Sequence, residues 1–218
     1  MKRIMGIAVI TAVVAVLLLA GCATSKTGTD RMSTTNVTMV EVEEDIRLLL
    51  LELTATNSAL ASLVNPLQND ITTAFNVYSD GIESLKKASS VFIAKSAKMG
   101  SEGRDYFNEW RIQGKTYTNP QIQKLSEQRR SELGVVYTQI ADSSVGLEGD
   151  LKKYVLNVEE LKKYFSNDLT AKGVTSINPF ANRTIIEGFD LSVQLRNLLE
   201  TVSMARAELS TGKIVIEE

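Results

Sequence analysis

From Ile46 onward, apolar residues recur at alternating steps of four and three. The series runs Ile46, Leu50, Leu53, Asn57, Leu60, Val64, Leu67, Ile71, Ala74 and Tyr78, with Asn57 its one amide. This is the a/d spacing of helices packed by knobs into holes. Strand-like alternation is absent, and β-branched runs separated by turn dipeptides do not recur. Asn65-Pro66 interrupts the series. The residue before a proline avoids the α region, while proline suits a first helical position. The pattern therefore predicts that helix one ends near Val64 and helix two starts at Pro66. A single kinked helix is the alternative, because the heptad phase continues across the proline.

Helix two is predicted from Pro66 to about Gln113, with Phe75, Tyr78, Ile82, Leu85, Phe92 and Met99 on one face. Gly114 stops it, and Lys115 to Asn119 forms a short turn closed by Pro120. Helix three, Pro120 to about Leu169, carries a stripe that includes Ile122, Leu125, Val136, Ile140, Leu151 and Phe165. The Gly173 to Pro179 segment is expected to break the chain before helix four. That helix runs to about Ser210 and buries Ile185, Phe189, Leu195, Leu199, Val202 and Leu209. Short connections make neighbours antiparallel. The fold class that follows is all-α: an antiparallel helical bundle with a long two-helix coiled-coil arm, its tip at the Gln113–Asn119 turn. Leu48 to Leu51 cover more than one face, which points to helix one as the most buried, or else to a self-association surface.

The segment before the heptads changes the picture. Met1-Lys2-Arg3 is basic, Ile4 to Ala20 is apolar apart from Gly6 and Thr11, and the run closes with Leu19-Ala20-Gly21-Cys22. Small residues followed by a cysteine resemble a bacterial lipobox, in which the thiol accepts a thioether-linked diacylglycerol. Residues 1–21 are then a removed lipoprotein signal peptide, and Cys22 is the lipidation site that holds the protein to a membrane through acyl (palmitate-type) chains. An uncleaved transmembrane helix is the alternative, but the run is at the short end for a span. Ala23, in place of Asp, favours the outer membrane facing the periplasm in a Gram-negative host. Residues 22–38 are rich in Thr and Ser and read as a flexible tether, residues 39–210 as the helical domain, and residues 211–218 as a tail.

Composition narrows the chemistry. The 218 residues include no His and one Cys. Zero histidine excludes Ser-His-Asp and Cys-His catalysis and His-ligated metals, and one cysteine cannot close an internal disulfide. The balance of 24 basic to 26 acidic side chains offers no nucleic-acid-binding patch. No cofactor, metal site or catalytic residue is predicted.

Tyr106-Phe107-Asn108-Glu109-Trp110, Tyr117-Thr118-Asn119-Pro120, Leu125-Ser126-Glu127-Gln128-Arg129-Arg130 and Ser166-Asn167-Asp168-Leu169-Thr170 occur in this order. Together they resemble a family of bacterial lipoproteins classed as a domain of unknown function. The resemblance implies a helical, envelope-anchored protein and brings no catalytic residues with it.

Individual candidates are few. Tyr106, Phe107, Trp110 and Tyr117 cluster near the arm's turn, where they either meet a protein partner or pack on one another as local core. Glu41, Glu43, Glu44 and Asp45 are expected in the first turns of helix one, favoured by the macrodipole. Lys152, Lys153, Lys162 and Lys163 form a charged face, with Glu159 placed to pair with Lys163. Arg129 and Arg130 are expected to pair with acids such as Glu109, and Asn167-Asp168 to end helix three. The leading expectation is a non-enzymatic, lipid-anchored scaffold for protein–protein contact or envelope organisation. A carrier or sensor with a dry cavity lined by helix one is the second, and an enzyme built on Asp, Glu, Tyr or Lys the third. Heptads of this kind also pair between chains, so oligomeric state stays open.

Overall fold

The computed structural model describes residues 28–209. The expected signal peptide, Cys22 and the tail 211–218 lie outside the described residues. Four helices follow one another: α1 (Gly28–Leu63), α2 (Ile71–Gly114), α3 (Pro120–Asn167) and α4 (Ala171–Leu209). No strand occurs among the described residues.

Each helix start has a local cause. Asp70 caps α2: its carboxylate accepts the Thr73 backbone N–H at 2.9 Å and the Thr73 hydroxyl at 2.6 Å. Pro66 therefore sits in a turn, and α2 begins five residues later than the proline signal predicts. The chain does break there, and Leu67, next in the heptad series, is exposed. Asn119 caps α3 through the Gln121 N–H at 2.9 Å, with Pro120 as first helical residue. Thr170 opens α4, its hydroxyl accepting the Gly173 N–H at 3.0 Å while donating to Asp168 Oδ1 at 2.7 Å. The expected break across Gly173–Pro179 is thus misplaced. Pro179 lies inside α4 on its exposed face, where water can satisfy the carbonyl the proline leaves bare.

The tether also needs correction. Residues 28–38 belong to α1, and Thr35, Thr38 and Met39 are buried. The hydroxyls of Thr34 and Thr38 donate back to the carbonyls of Asp30 and Thr35, both at 2.9 Å, while the buried Thr35 hydroxyl finds no hydrogen-bond partner among the described residues. Glu41 to Asp45 consequently sit mid-helix rather than at a helix start. Met32–Leu63 is apolar and long enough to cross a membrane by composition, yet here it forms one wall of the bundle.

The helices form a ring in which α1 packs on α2 and α4, and α3 packs on the same two. Ion pairs mark the antiparallel register: Asp45–Lys95 at 3.0 Å, Glu43–Arg206 at 2.9 Å, Lys86–Glu159 at 2.6 Å and Lys153–Glu187 at 3.1 Å. Glu159 thus reaches α2 instead of Lys163. The core runs along the axis, with Ile46, Leu53, Tyr78, Ile82, Leu151 and Phe165 almost wholly buried. Each such side chain contributes about 1.5–3 kcal/mol relative to exposure. Leu49 is buried while Leu48 and Leu51 are exposed, so α1 shows one face to the core and is not the fully enclosed helix the leucine run suggested.

Asn57 is the polar centre of this core. Tyr154 Oη donates to its Oδ1 at 3.1 Å, and its Nδ2 donates to the Ile185 carbonyl at 2.9 Å, tying α1 to α3 and α4. Gly188 makes this approach feasible, since a Cβ there would lie 2.8 Å from both Asn57 Oδ1 and Tyr154 Cε2.

α2 and α3 are the two longest helices, and their hairpin runs beyond α4. Arg129 meets Glu208 at 3.7 Å near the end of α4, and Pro120 lies about 13 Å further along α3. The arm is short because α1, starting at Gly28, continues alongside α2 where the tether was expected.

Candidate functional site

The sequence candidates converge on the hairpin end, and the structure separates them. Tyr106 is buried, and Phe107 and Trp110 are half-buried. Their ring centroids lie 5.0 Å apart for Tyr106–Phe107 and 5.6 Å for Tyr106–Trp110, and Phe107 stacks on Trp110 at 6.4 Å. Phe107 also meets Tyr137 edge-on at 5.5 Å. Trp110 Nε1 donates to Ser126 Oγ at 2.9 Å across the hairpin. These three rings therefore form a local core that clamps α2 to α3. Tyr117, on the turn itself, is exposed and stands apart from them.

Sequence reasoning missed Tyr137 and Ser126, the α3 side of this clamp. Tyr137 is buried, and its hydroxyl donates to the Met99 carbonyl. Its ring occupies the space above Gly103, where a Cβ would collide with it. Burial pushes the Tyr137 phenol far above its usual range, as it does for Tyr78 and Tyr154, so all three stay neutral hydrogen-bond donors at ordinary pH.

Two concavities flank the clamp. A solvent-open groove of about 620 Å³ between α2 and α3 is lined by Gly100, Arg104, Phe107, Gly134, Tyr137 and Ala141, among others. A second, of about 510 Å³, lies at the hairpin end between Trp110, Arg111, Lys115, Pro120, Lys124 and Glu127. Both belong to α2 and α3, whereas the carrier reading expected a dry cavity lined by helix one.

Several of the charged candidates resolve into ion pairs. Arg130 grips Glu127 through two guanidinium nitrogens, one at 3.0 Å, and Arg129 meets Glu132 and Glu208, both at 3.7 Å. Glu109 accepts a hydrogen bond from Gln113 Nε2 at 3.0 Å. The Arg130 hydrogen bond, with the charges of Arg130, Arg111 and Lys115, holds Glu127 below the usual carboxylate range. Glu43 is shared by Arg47 at 2.7 Å and Arg206, and Asp45 is taken by Lys95. Among the described residues no group of three His, Cys, Asp or Glu could hold a metal ion.

No family model, curated protein or solved structure matches this chain. Its fold is accordingly known from its own four helices, and its function rests on what those helices present.

Proposed function

We propose that the protein is a bacterial envelope lipoprotein, anchored through Cys22, whose helical body is a non-catalytic scaffold for protein–protein contact or envelope organisation. The observation that carries this reading is the junction of the two parts. A lipobox-like Leu19-Ala20-Gly21-Cys22 is followed, after at most about 20 Å of extended chain, by the first residue of a bundle whose buried carboxylates Glu43 and Asp45 are engaged in ion pairs. An outer-membrane location facing the periplasm follows from Ala23 in a two-membrane host. The resemblance to helical lipoproteins of unknown function agrees with both parts. Acyl chains supply the anchor because each buried CH₂ is worth about 0.8 kcal/mol and two or more chains hold stably.

Mass spectrometry of the N-terminal peptide tests the anchor. A diacylglyceryl adduct on Cys22, lost in Cys22→Ala together with membrane fractionation, is the expected result. An unmodified Cys22 in a membrane-associated protein would refute it. In-cell crosslinking from exposed positions on α4, such as Ile186 or Phe189, tests the scaffold role, and recovery of no reproducible partner counts against it.

A further inference from the structure

The hairpin end and the start of α1 lie at the same end of the bundle. Asp45 pairs with Lys95 at 3.0 Å across antiparallel α1 and α2. From that pair Gly28 is about 25 Å along α1 and Gly114 about 28 Å along α2, in the same direction. Any anchor at Cys22 therefore emerges beside the α2–α3 turn, not at the opposite end.

That end differs in charge from the rest of the protein. Residues 110–126 contain Arg111, Lys115 and Lys124 and no Asp or Glu, and with the flanking Glu109 and Glu127, the latter in the same concavity, the stretch still carries a net charge of +1 in a chain that is acidic overall. Lys115 and Lys124 both line the hairpin-end concavity, and no ion pair engages either among the described residues. The same end exposes apolar side chains: Ile112 is 44% exposed, Tyr117 43%, Ile122 49% and Leu125 66%. Ile122 and Leu125 lie on α3 beyond the point where Arg129 meets the end of α4. Cations interleaved with exposed aliphatic and aromatic side chains, at the tethered end, match an anionic membrane interface in both charge and polarity.

We infer that the α2–α3 turn docks onto anionic phospholipid headgroups and so fixes the bundle upright on the membrane as a second contact beside the lipid anchor. This inference rests on the anchored-lipoprotein reading for its geometry, but its chemistry is separable from it. Lys115, Lys124 and Arg111 meet the headgroup phosphates. Tyr117, Ile122 and Leu125 enter the interfacial layer. The neighbouring Trp110 is held at that boundary by Ser126.

Trp110 is the only tryptophan, so its fluorescence reads this end directly. The full protein, purified from membranes, is reconstituted into phosphatidylcholine vesicles with or without phosphatidylglycerol, each doped with bromine-labelled lipid. Quenching of Trp110 that needs the anionic lipid and disappears at about 0.5 M salt is expected. Each cation contributes about fivefold in partitioning, so Lys115→Glu with Lys124→Glu in the Cys22→Ala chain should lower binding to anionic vesicles at least about twentyfold. A circular-dichroism melt of that variant matching its parent keeps the comparison free of unfolding. A lipidated Cys22 with Trp110 unquenched on anionic vesicles would overturn docking and leave the anchor reading intact. An unmodified Cys22 with salt-sensitive quenching would do the reverse. Ile122 and Leu125 protected without vesicles, and exposed on removal of residues 210–218, would assign this face to the chain's own tail and also overturn docking.

Discussion

The Asn57 junction allows a quantitative test of what holds the four helices in one register. In Asn57→Ala, two hydrogen bonds disappear, the 3.1 Å bond from Tyr154 and the 2.9 Å bond to the Ile185 carbonyl. Each is worth about 1 kcal/mol net, and the stranded Tyr154 hydroxyl, 1% exposed, adds a penalty of about 1–3 kcal/mol. Helical Ile185 keeps its carbonyl bonded within α4, so no further penalty arises there. The total is about 3–5 kcal/mol. Tyr154→Phe removes one of the same bonds and strands Asn57 Oδ1, at about 2–4 kcal/mol. In the double variant neither partner is stranded, and the cost should be about 2 kcal/mol, well below the sum. Urea unfolding of the four proteins yields the cycle, with a coupling of at least about 3 kcal/mol expected. For a domain of this size Asn57→Ala alone should lower Tm by about 6–20 °C. Additive single costs, within about 0.5 kcal/mol, would mean that the two side chains do not act through one bond, and the reasoning would fail.

Three further outcomes are expected. Gly103→Ala forces a methyl into the Tyr137 ring and should cost about 1–3 kcal/mol or more, whereas Gly149→Ala, which opens onto free space, should raise stability by about 0.5–1 kcal/mol; denaturant midpoints of the two must move in opposite directions. Burial raises the folded pKa of Tyr78, Tyr137 and Tyr154, so stability is complete below the unfolded tyrosine value near 10 and falls as pH rises above it. Phenolate absorbance from these three should therefore appear only together with loss of helical circular dichroism. Hydrogen bonding to the Thr73 hydroxyl, then to its backbone N–H, lowers the folded pKa of Asp70. Its contribution is present above the ordinary carboxylate range and is lost as pH falls through the lowered value. Asp70→Asn, which keeps the cap, should flatten that part of the acid limb, and an unchanged acid profile would remove Asp70 from the account.

The helical character and much of the core were legible because the heptad residues are large and apolar. Ile46, Leu53, Leu60, Tyr78, Ile82 and Val158 are buried where the spacing put them. The errors have one physical origin: small and polar residues also fill helix interfaces, and an apolar pattern cannot see them. Phe189 was assigned to the core, yet Gly188 takes that place and Phe189 is exposed. Ser144, Thr184 and Ser192 sit buried with hydroxyls bonded to the carbonyl four residues back, which makes them packing residues. Thr38 extends α1 the same way, and Thr35 is buried beside it, against the low helix propensity of threonine, because tertiary burial outweighs it. At the hairpin end the aromatic residues drew attention to the right place for the wrong reason. Three of the four form local core, and what distinguishes the surface is the acid-free basic run with its exposed aliphatic residues.

The placement of the chain ends has a mechanical consequence. α1 begins, and α4 ends, at the end of the bundle that carries the α2–α3 turn. A pull applied between this end and the far loops at 64–70 and 168–170 runs along all four helix axes. It must slide interlocked side chains past one another, a loading mode that resists rupture. A pull between the two chain ends acts across the α1–α4 seam and opens it pair by pair, starting with Glu43–Arg206 and reaching Asn57 later. The fold is thus stiff toward forces along its long axis and weak toward forces that part its two ends.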